Sequence, residues 1–162
     1  NSKIDKKLKA KAKLDYLNSK KDWWETDRVH GASMMINTNH LLQYSLFLNE
    51  DLFLYCEEID LCLRAKRYGL KIVIAGKSIV YHKGELSLSK TQKPINVYYI
   101  IRNRILLARK ILDIKNQVVF WTLFVPARLI RCMKWVFQGK IDLVKITFSG
   151  LNDGIKGKIG KK

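Results

Sequence analysis

Acid is scarce in the second half of this 162-residue chain. Residues 90–162 hold three acids against sixteen bases, whereas residues 29–89 carry six of each and are neutral. Most of the overall net charge of +17 therefore sits in the C-terminal part. A field of that sign attracts polyanions: nucleic acid, anionic lipid or pyrophosphate-linked substrates. Cysteine is also sparse. Cys56, Cys62 and Cys132 make an odd number with no CxxC pair, which argues against a disulfide framework and a zinc site. Cys56 and Cys62 stand among apolar neighbours and read as buried, reduced thiols, in keeping with a cytosolic compartment. The longest charge-free run, Gln117 to Ala127, is interrupted by Pro126 and falls far short of the roughly 20 residues that span a bilayer. The first residues, NSKIDKKLKAKAK, lack the apolar core of a signal peptide and an initiator Met. No Gly-rich phosphate loop, zinc-finger spacing or RNA-binding signature occurs.

What is present fits an ordinary folded domain. The chain is 48% hydrophobic and 28% charged, and long enough to bury a core. Its centre is Leu52 to Gly69, LFLYCEEIDLCLRAKRYG. Three acids, Glu57, Glu58 and Asp60, open a helical pattern that ends in Arg64, Lys66 and Arg67. Acids in the first turn and cations in the last complement the helix dipole, and Gly69 suits the left-handed position after a helix. Asp60 and Arg64, four apart, are placed to pair. An amphipathic surface helix over about 57–68 accounts for the pattern. The same clustered carboxylates are also candidate catalytic groups.

Taken in order, residues 1–22 are Lys-rich with interspersed leucines, a marginal surface helix or a mobile segment. Trp23-Trp24 has two readings: a loop packed on the core, or a platform on which a sugar ring stacks. Val29 to Ile36 predicts a short buried strand, in which Gly31 and Ala32 leave room for a ligand or another segment. Asn37 or Thr38 caps a helix running to about Tyr44. Lys71–Ala75 and Ser78–His82 predict two short strands, and Glu85–Lys93 a polar lid loop. From Asn96 the period becomes helical. Arg102 and Asn103 near the start of that helix stand either on a solvated basic face or within reach of a phosphate. Two further amphipathic helices follow, suited to lying on a membrane or to packing on the rest of the chain. The closing GIKGKIGKK is expected to fray.

The order F-L-Y-x-E-E-I-D-L-C-L-R-A-x-R-x-G resembles the acidic motif of inverting family-two glycosyltransferases of the rhamnosyltransferase-like branch. Val29-His30-Gly31-Ala32-Ser33 upstream is similar to that family's Gly-Ala strand, and the two short runs ending in His82 to its paired strands. Tyr98-Tyr99 before Arg102-Asn103 and the Gly150-Leu151-Asn152-Asp153-Gly154 tail agree in order. The likeness covers about residues 29–160.

The resemblance implies an α/β chain: the C-terminal part of a GT-A-like mixed sheet, then amphipathic helices. It divides the chain into a connecting basic segment (1–28), an acceptor-side catalytic part (29–93) and a basic helical tail (94–162). It implies transfer of a sugar, rhamnose among the options, with inversion, from a nucleotide-sugar donor to a glycan or lipid-linked acceptor in bacterial cell-surface polysaccharide synthesis. Glu58 maps to the general base, one methylene longer than the family's usual Asp. Glu57 maps to orienting the acceptor or the base, and Asp60 to bracing the loop through Arg64. Gly31, Ala32 and Trp24 map to the acceptor side, and His82, Arg102 and Asn103 to the donor diphosphate. His82 is either a metal ligand or an ordinary strand-end residue. The implied cofactor is divalent Mg or Mn, but the family's Asp-x-Asp motif is lacking and is expected in a missing N-terminal half. This fragment alone is then expected to be inactive. The implied location is peripheral, at the inner face of the cell membrane, with no specific nucleic acid. The alternative is a basic nucleic-acid-binding or membrane-binding module without catalysis.

Overall fold

A computed structural model describes residues 22–80 and 94–162. The expectations for residues 1–21, for His82 and for the loop up to Lys93 lie outside the described residues.

The architecture is mostly helical, with one small sheet. Strand β1 (Trp23–Glu25) pairs antiparallel with β2 (Val73–Ala75), placing Trp24 opposite Ile74. Between them lie α1 (Thr38–Gln43) and α2 (Glu57–Arg67). Three longer helices follow: α3 (Pro94–Ile111), α4 (Ile114–Phe137) and α5 (Ile141–Ile155). A mixed α/β character is present, but among the described residues the sheet has only two strands.

Local chemistry explains the elements. The Asn37 side chain accepts from Asn39 N–H and starts α1, as the cap residue predicts. Helix α2 opens with Glu57, Glu58 and Asp60 in its first turn and closes with Arg64, Lys66 and Arg67 in its last. Gly69 follows at φ 72°, the left-handed conformation it was expected to supply. The strand expected over Val29–Ile36 does not form. Gly31–Ser33 is instead a 3-10 turn, because His30 Nδ1 accepts from the Ala32 N–H and offers the backbone a local partner. Ser78 to Val80 is likewise not a strand.

The core lies among the three long helices. Val97, Ile101 and Ile105 of α3 meet Phe124, Cys132 and Trp135 of α4 and Leu143 and Leu151 of α5. Helices α3 and α5 approach most closely, through Gly150 and Gly154. A Cβ at Gly150 would stand 3.0 Å from the Tyr98 carbonyl oxygen, and one at Gly154 3.0 Å from Ile105 Cβ. Two glycines four apart thus put a smooth helix face against α3. A smaller apolar cluster, Leu52, Cys56 and Leu107, joins the segment before α2 to α3. Burial of Cys56 raises its thiol to about 11, so it behaves as an inert apolar group.

The C-terminal part departs from simple local rules in two places. Helix α4 continues through Pro126 for eleven more residues, to Phe137. Proline at an exposed interior position forfeits one backbone bond, and the buried anchors Phe124, Cys132 and Trp135 on either side hold the helix together. The closing segment, expected to fray, is held in place. Gly160 N–H donates to the Asp51 carbonyl, and Lys162 N–H donates to Tyr99 Oη at 2.8 Å. Lys158 pairs with Asp153 at 2.9 Å, and Asp153 also accepts from Tyr98 Oη at 2.9 Å. The lysine holds the Asp153 carboxyl below the usual carboxylate range.

Replacing Gly154 by Leu should destabilise the chain by about 1–3 kcal/mol, because α5 cannot recede without losing the buried contacts beside it. Gly139, with nothing near its Cβ position, offers a control at the α4–α5 turn. Gly139→Asn should cost less, since Asn tolerates the φ of 68° there. Urea denaturation of the two variants tests the difference.

Candidate active site

The carboxylates of α2 do not share one environment. Asp60 is fully buried; its Oδ2 accepts from Arg64 Nε at 2.8 Å and its Oδ1 from Lys110 Nζ at 3.4 Å. Arg64 in turn donates to the carbonyls of Ser45 and Phe47. Asp60 therefore braces the 45–47 segment through Arg64 and has no oxygen open to a ligand.

Glu58 is different. It is half-buried, and no hydrogen bond or ion pair joins its carboxylate to another described residue. A Cβ at Gly31 would lie 3.7 Å from Glu58 Cβ and 4.0 Å from Cγ, so the glycine turn stands directly against this side chain. Glu58 lines a cleft of about 780 Å³ with Arg28, His30, Ser33, Met34 and Ile74, and Gly31 stands behind that lining. The cleft's volume is in the range of small-ligand sites. Glu57 does not line this cleft. Its Oε2 is buried without a hydrogen-bond partner, an unusual state for a carboxylate oxygen.

Backbone strain sits immediately before these acids. Phe53, Tyr55 and Cys56 have φ of 57°, 67° and 72°, all in the left-handed region that side chains avoid. Cys56 caps α2 in that conformation with no side-chain bond. Such residues persist only where the surroundings over-determine them. The surroundings here are Arg102 and Asn103 of α3, which are 1% and 0% exposed. Asn103 Nδ2 converges on the carbonyls of Leu52, Leu54 and Tyr55 at 2.8, 2.7 and 2.7 Å. Arg102 donates to Leu52 O at 2.9 Å, to Asp51 O at 3.3 Å, to Gly160 O at 2.5 Å and to Asn103 Oδ1 at 2.9 Å. Its guanidinium also lies 4.9 Å from the Tyr99 ring centroid. Both side chains are thus engaged with main-chain oxygens inside the fold. They lie neither on a solvated basic face nor open to a diphosphate.

The remaining candidates are dispersed. Ala32 is exposed beside the cleft without lining it. Trp24 is half-buried in β1, opposite Ile74, rather than in a loop, and it does not line the cleft. Lys66 pairs with Asp27, which ties the segment leading to Arg28 onto α2 and lowers the Asp27 carboxyl from its ordinary value. Cleft residues not singled out beforehand are Arg28, His30 and Ser33. Their signal was positional, because they flank Gly31. Among the described residues no group of three His, Cys, Asp or Glu side chains is placed to hold a metal. Asp60 is committed to its two cations, and the divalent-metal motif was expected at residues other than these.

Comparison with curated proteins gives one relative to set beside this geometry. The chain is 28% identical over 136 residues to the low-salt glycan biosynthesis hexosyltransferase Agl10 of Haloferax volcanii, an alignment covering 83% of this chain and 44% of that protein. The chain thus spans less than half the length of the relative it matches. No protein-family model matches it, and no solved structure does.

Removing the amide of Asn103 tests the clamp. Asn103→Ala should cost about 1–3 kcal/mol, the penalty of leaving buried carbonyls unsatisfied. Asn103→Asp should cost more, because it turns acceptors toward acceptors. Chemical denaturation followed by circular dichroism would give both values; an unchanged midpoint for the Ala variant would show that the clamp is dispensable.

Proposed function

We propose that this chain is the acceptor-side part of a glycosyltransferase that moves a sugar from a nucleotide-sugar donor to a glycan acceptor. The observation that carries the reading is the Glu58 carboxylate. Without a hydrogen-bond or ionic partner among the described residues, it lines a cleft, on the first turn of a helix and against a glycine, in a chain similar to a hexosyltransferase. The likeness supports glycosyl transfer in general. Inversion, rhamnose as the sugar, a GT-A arrangement and a lipid-linked acceptor are finer parts of the proposal.

The chemistry asked of the chain is small. Inverting transfer needs one base to take the proton from the acceptor hydroxyl as its oxygen attacks the anomeric carbon. A carboxylate without internal partners accepts that proton directly. Gly31 leaves space beside Glu58 for the hydroxyl-bearing carbon. Glu57, whose buried Oε2 lies outside the cleft, makes no direct contact with an acceptor in this reading. Asp60 and Arg64 fix the helix from behind. Donor binding, and any divalent ion at the leaving diphosphate, are assigned in this reading to residues beyond those described. A lipid-linked acceptor would place the reaction at the inner face of a membrane.

In the full-length protein, Glu58→Gln should lower kcat by roughly 10²- to 10⁴-fold with little change in Tm, the range for loss of a general base. Gly31→Leu should abolish transfer by filling the space beside Glu58, whereas Gly31→Ala, whose Cβ makes ordinary contacts, should keep most of it. Release of nucleoside diphosphate in the presence of acceptor is the measurement. A Glu58→Gln protein with undiminished turnover would sink the reading.

A further inference from the structure

Away from Glu58, the outer side of α4 has an unusual composition. The helix carries four cations, Lys115, Arg128, Arg131 and Lys134, and no acid. Val119, Leu123, Pro126, Ile130, Met133 and Phe137 follow at alternating steps of four and three and are all exposed. That spacing places them in one stripe along the helix. The opposite face, with Phe124, Cys132 and Trp135, is buried against α3 and α5. Helix α4 is therefore apolar on two sides, and only one is covered among the described residues. Leu123, Ile130 and Phe137 are 68%, 67% and 87% exposed. Among the described residues no helix is long and apolar enough to cross a membrane.

Beside the stripe lies a second cleft of about 790 Å³, formed by the C-terminal half of α4, the turn into α5 and the start of α3. Arg128, Arg131, Lys134 and Lys140 line it, against the single acid Asp142. Ile130 belongs both to its lining and to the stripe. Arg128 Nε is buried without a hydrogen-bond partner. The guanidinium lies 5.2 Å from the Phe124 ring centroid, and burial together with the nearby Arg104 and Arg131 lowers its pKa. Among the described residues four cations face one acid on this cavity, an excess of positive charge that attracts an anion.

We infer that this side of the helical region docks on an anionic phospholipid bilayer, with a lipid phosphate in the Arg128–Lys140 cleft and the α4 stripe in the acyl boundary. A phospholipid offers a phosphate immediately beside hydrocarbon, and the protein offers a cationic cleft immediately beside an apolar stripe. Nucleic acid matches the charge but not the stripe. A second protein chain matches the stripe but has no reason to require a phosphate. Interfacial helices combine one apolar face with flanking Lys and Arg. The inference deepens the membrane part of the reading above and is independent of the chemistry at Glu58.

The test uses the full chain and sedimentation with vesicles of phosphatidylcholine, alone or mixed with phosphatidylglycerol. Binding should be at least tenfold tighter to the mixed vesicles. Lys134→Glu with Lys140→Glu should weaken it at least tenfold, and Leu123→Ser with Ile130→Ser should also weaken it at least tenfold. All four residues are exposed, so circular dichroism and Tm should stay those of the parent chain. Equal binding to the two vesicle types would overturn the inference, as would indifference to the serine pair, the behaviour of a plain polyanion site that duplex DNA would share. Complete release by inorganic phosphate at constant ionic strength would overturn it in favour of a free phosphate. A lipid-free dimer that the serine pair converts to monomer would overturn it in favour of a second copy. Because no step reads sugar transfer, failure here leaves Glu58 untouched, and an inactive Glu58→Gln protein should still bind vesicles.

Discussion

Everything near the candidate site depends on one buried cation. Arg102 is among the largest fully buried side chains described, and no carboxylate among the described residues neutralises it by direct contact. Burying a guanidinium without such a partner is costly unless its donors are met. They are met by carbonyls of residues 51 and 52 from one side and of Gly160 from the other, with two tyrosine rings beside the charge. The arrangement cross-links three distant pieces of chain: the segment before α2, the third helix and the C-terminal tail. Any change that withdraws one carbonyl leaves a buried charge under-satisfied, so the three pieces hold each other in place.

The consequence for chemistry follows through the backbone. Carbonyl oxygens at 52, 54 and 55 can all point at the Asn103 amide only if the chain turns sharply between them, and that turn puts Phe53, Tyr55 and Cys56 in the left-handed region. The cost of order 1–3 kcal/mol per strained residue is offset by the buried hydrogen bonds and by the apolar contact of Leu52 and Cys56 with Leu107. What the turn achieves is direction. Helix α2 begins abruptly at Glu57, with Glu58 facing the Gly31 turn while Asp60, one half-turn on, faces inward to Arg64 and Lys110. Two carboxylates two residues apart thus acquire opposite tasks from the side of the helix on which each falls.

This division was partly legible in the sequence. The bounds of α2, its closure at Gly69 and the Asp60–Arg64 pair follow from rules of spacing that act within a few residues. The resemblance put Gly31 on the acceptor side and Glu58 as the base, but their contact across 27 positions is seen only in the structure. Arg102 and Asn103 were misjudged because an Arg-Asn pair on a helix is indistinguishable from a phosphate-binding pair until its acceptors are known. Those acceptors are main-chain carbonyls about 50 residues away. Composition carries no record of where carbonyls point. The same blindness hid the tail: GIKGKIGKK has the make-up of a frayed end, yet Gly160 is held through both its N–H and its carbonyl. In Val29–Ile36 an apolar pattern was overruled by one side-chain bond, His30 to the Ala32 N–H.

Helix α4 shows why patterning misleads when a helix has two apolar faces. Its buried and exposed stripes together make the window look uniformly hydrophobic, and Pro126 then reads as a break rather than as one member of the outer stripe. Proline in a helix interior removes one hydrogen bond and crowds the preceding turn, here at Thr122, whose hydroxyl is already donated back to Val118 and Val119. The helix survives because its inner face is anchored on both sides of the proline, by Phe124 before it and by Cys132 and Trp135 after it. Anchoring of one face leaves the other free to be selected for something besides stability. An outer stripe that carries no acid and borders a cavity of four cations is not what a solvated face requires, since exposed helix surfaces ordinarily mix charges of both signs. Part of the acid scarcity that first marks the C-terminal half of the sequence is thus expressed on α4, where four cations and no acid flank the apolar stripe.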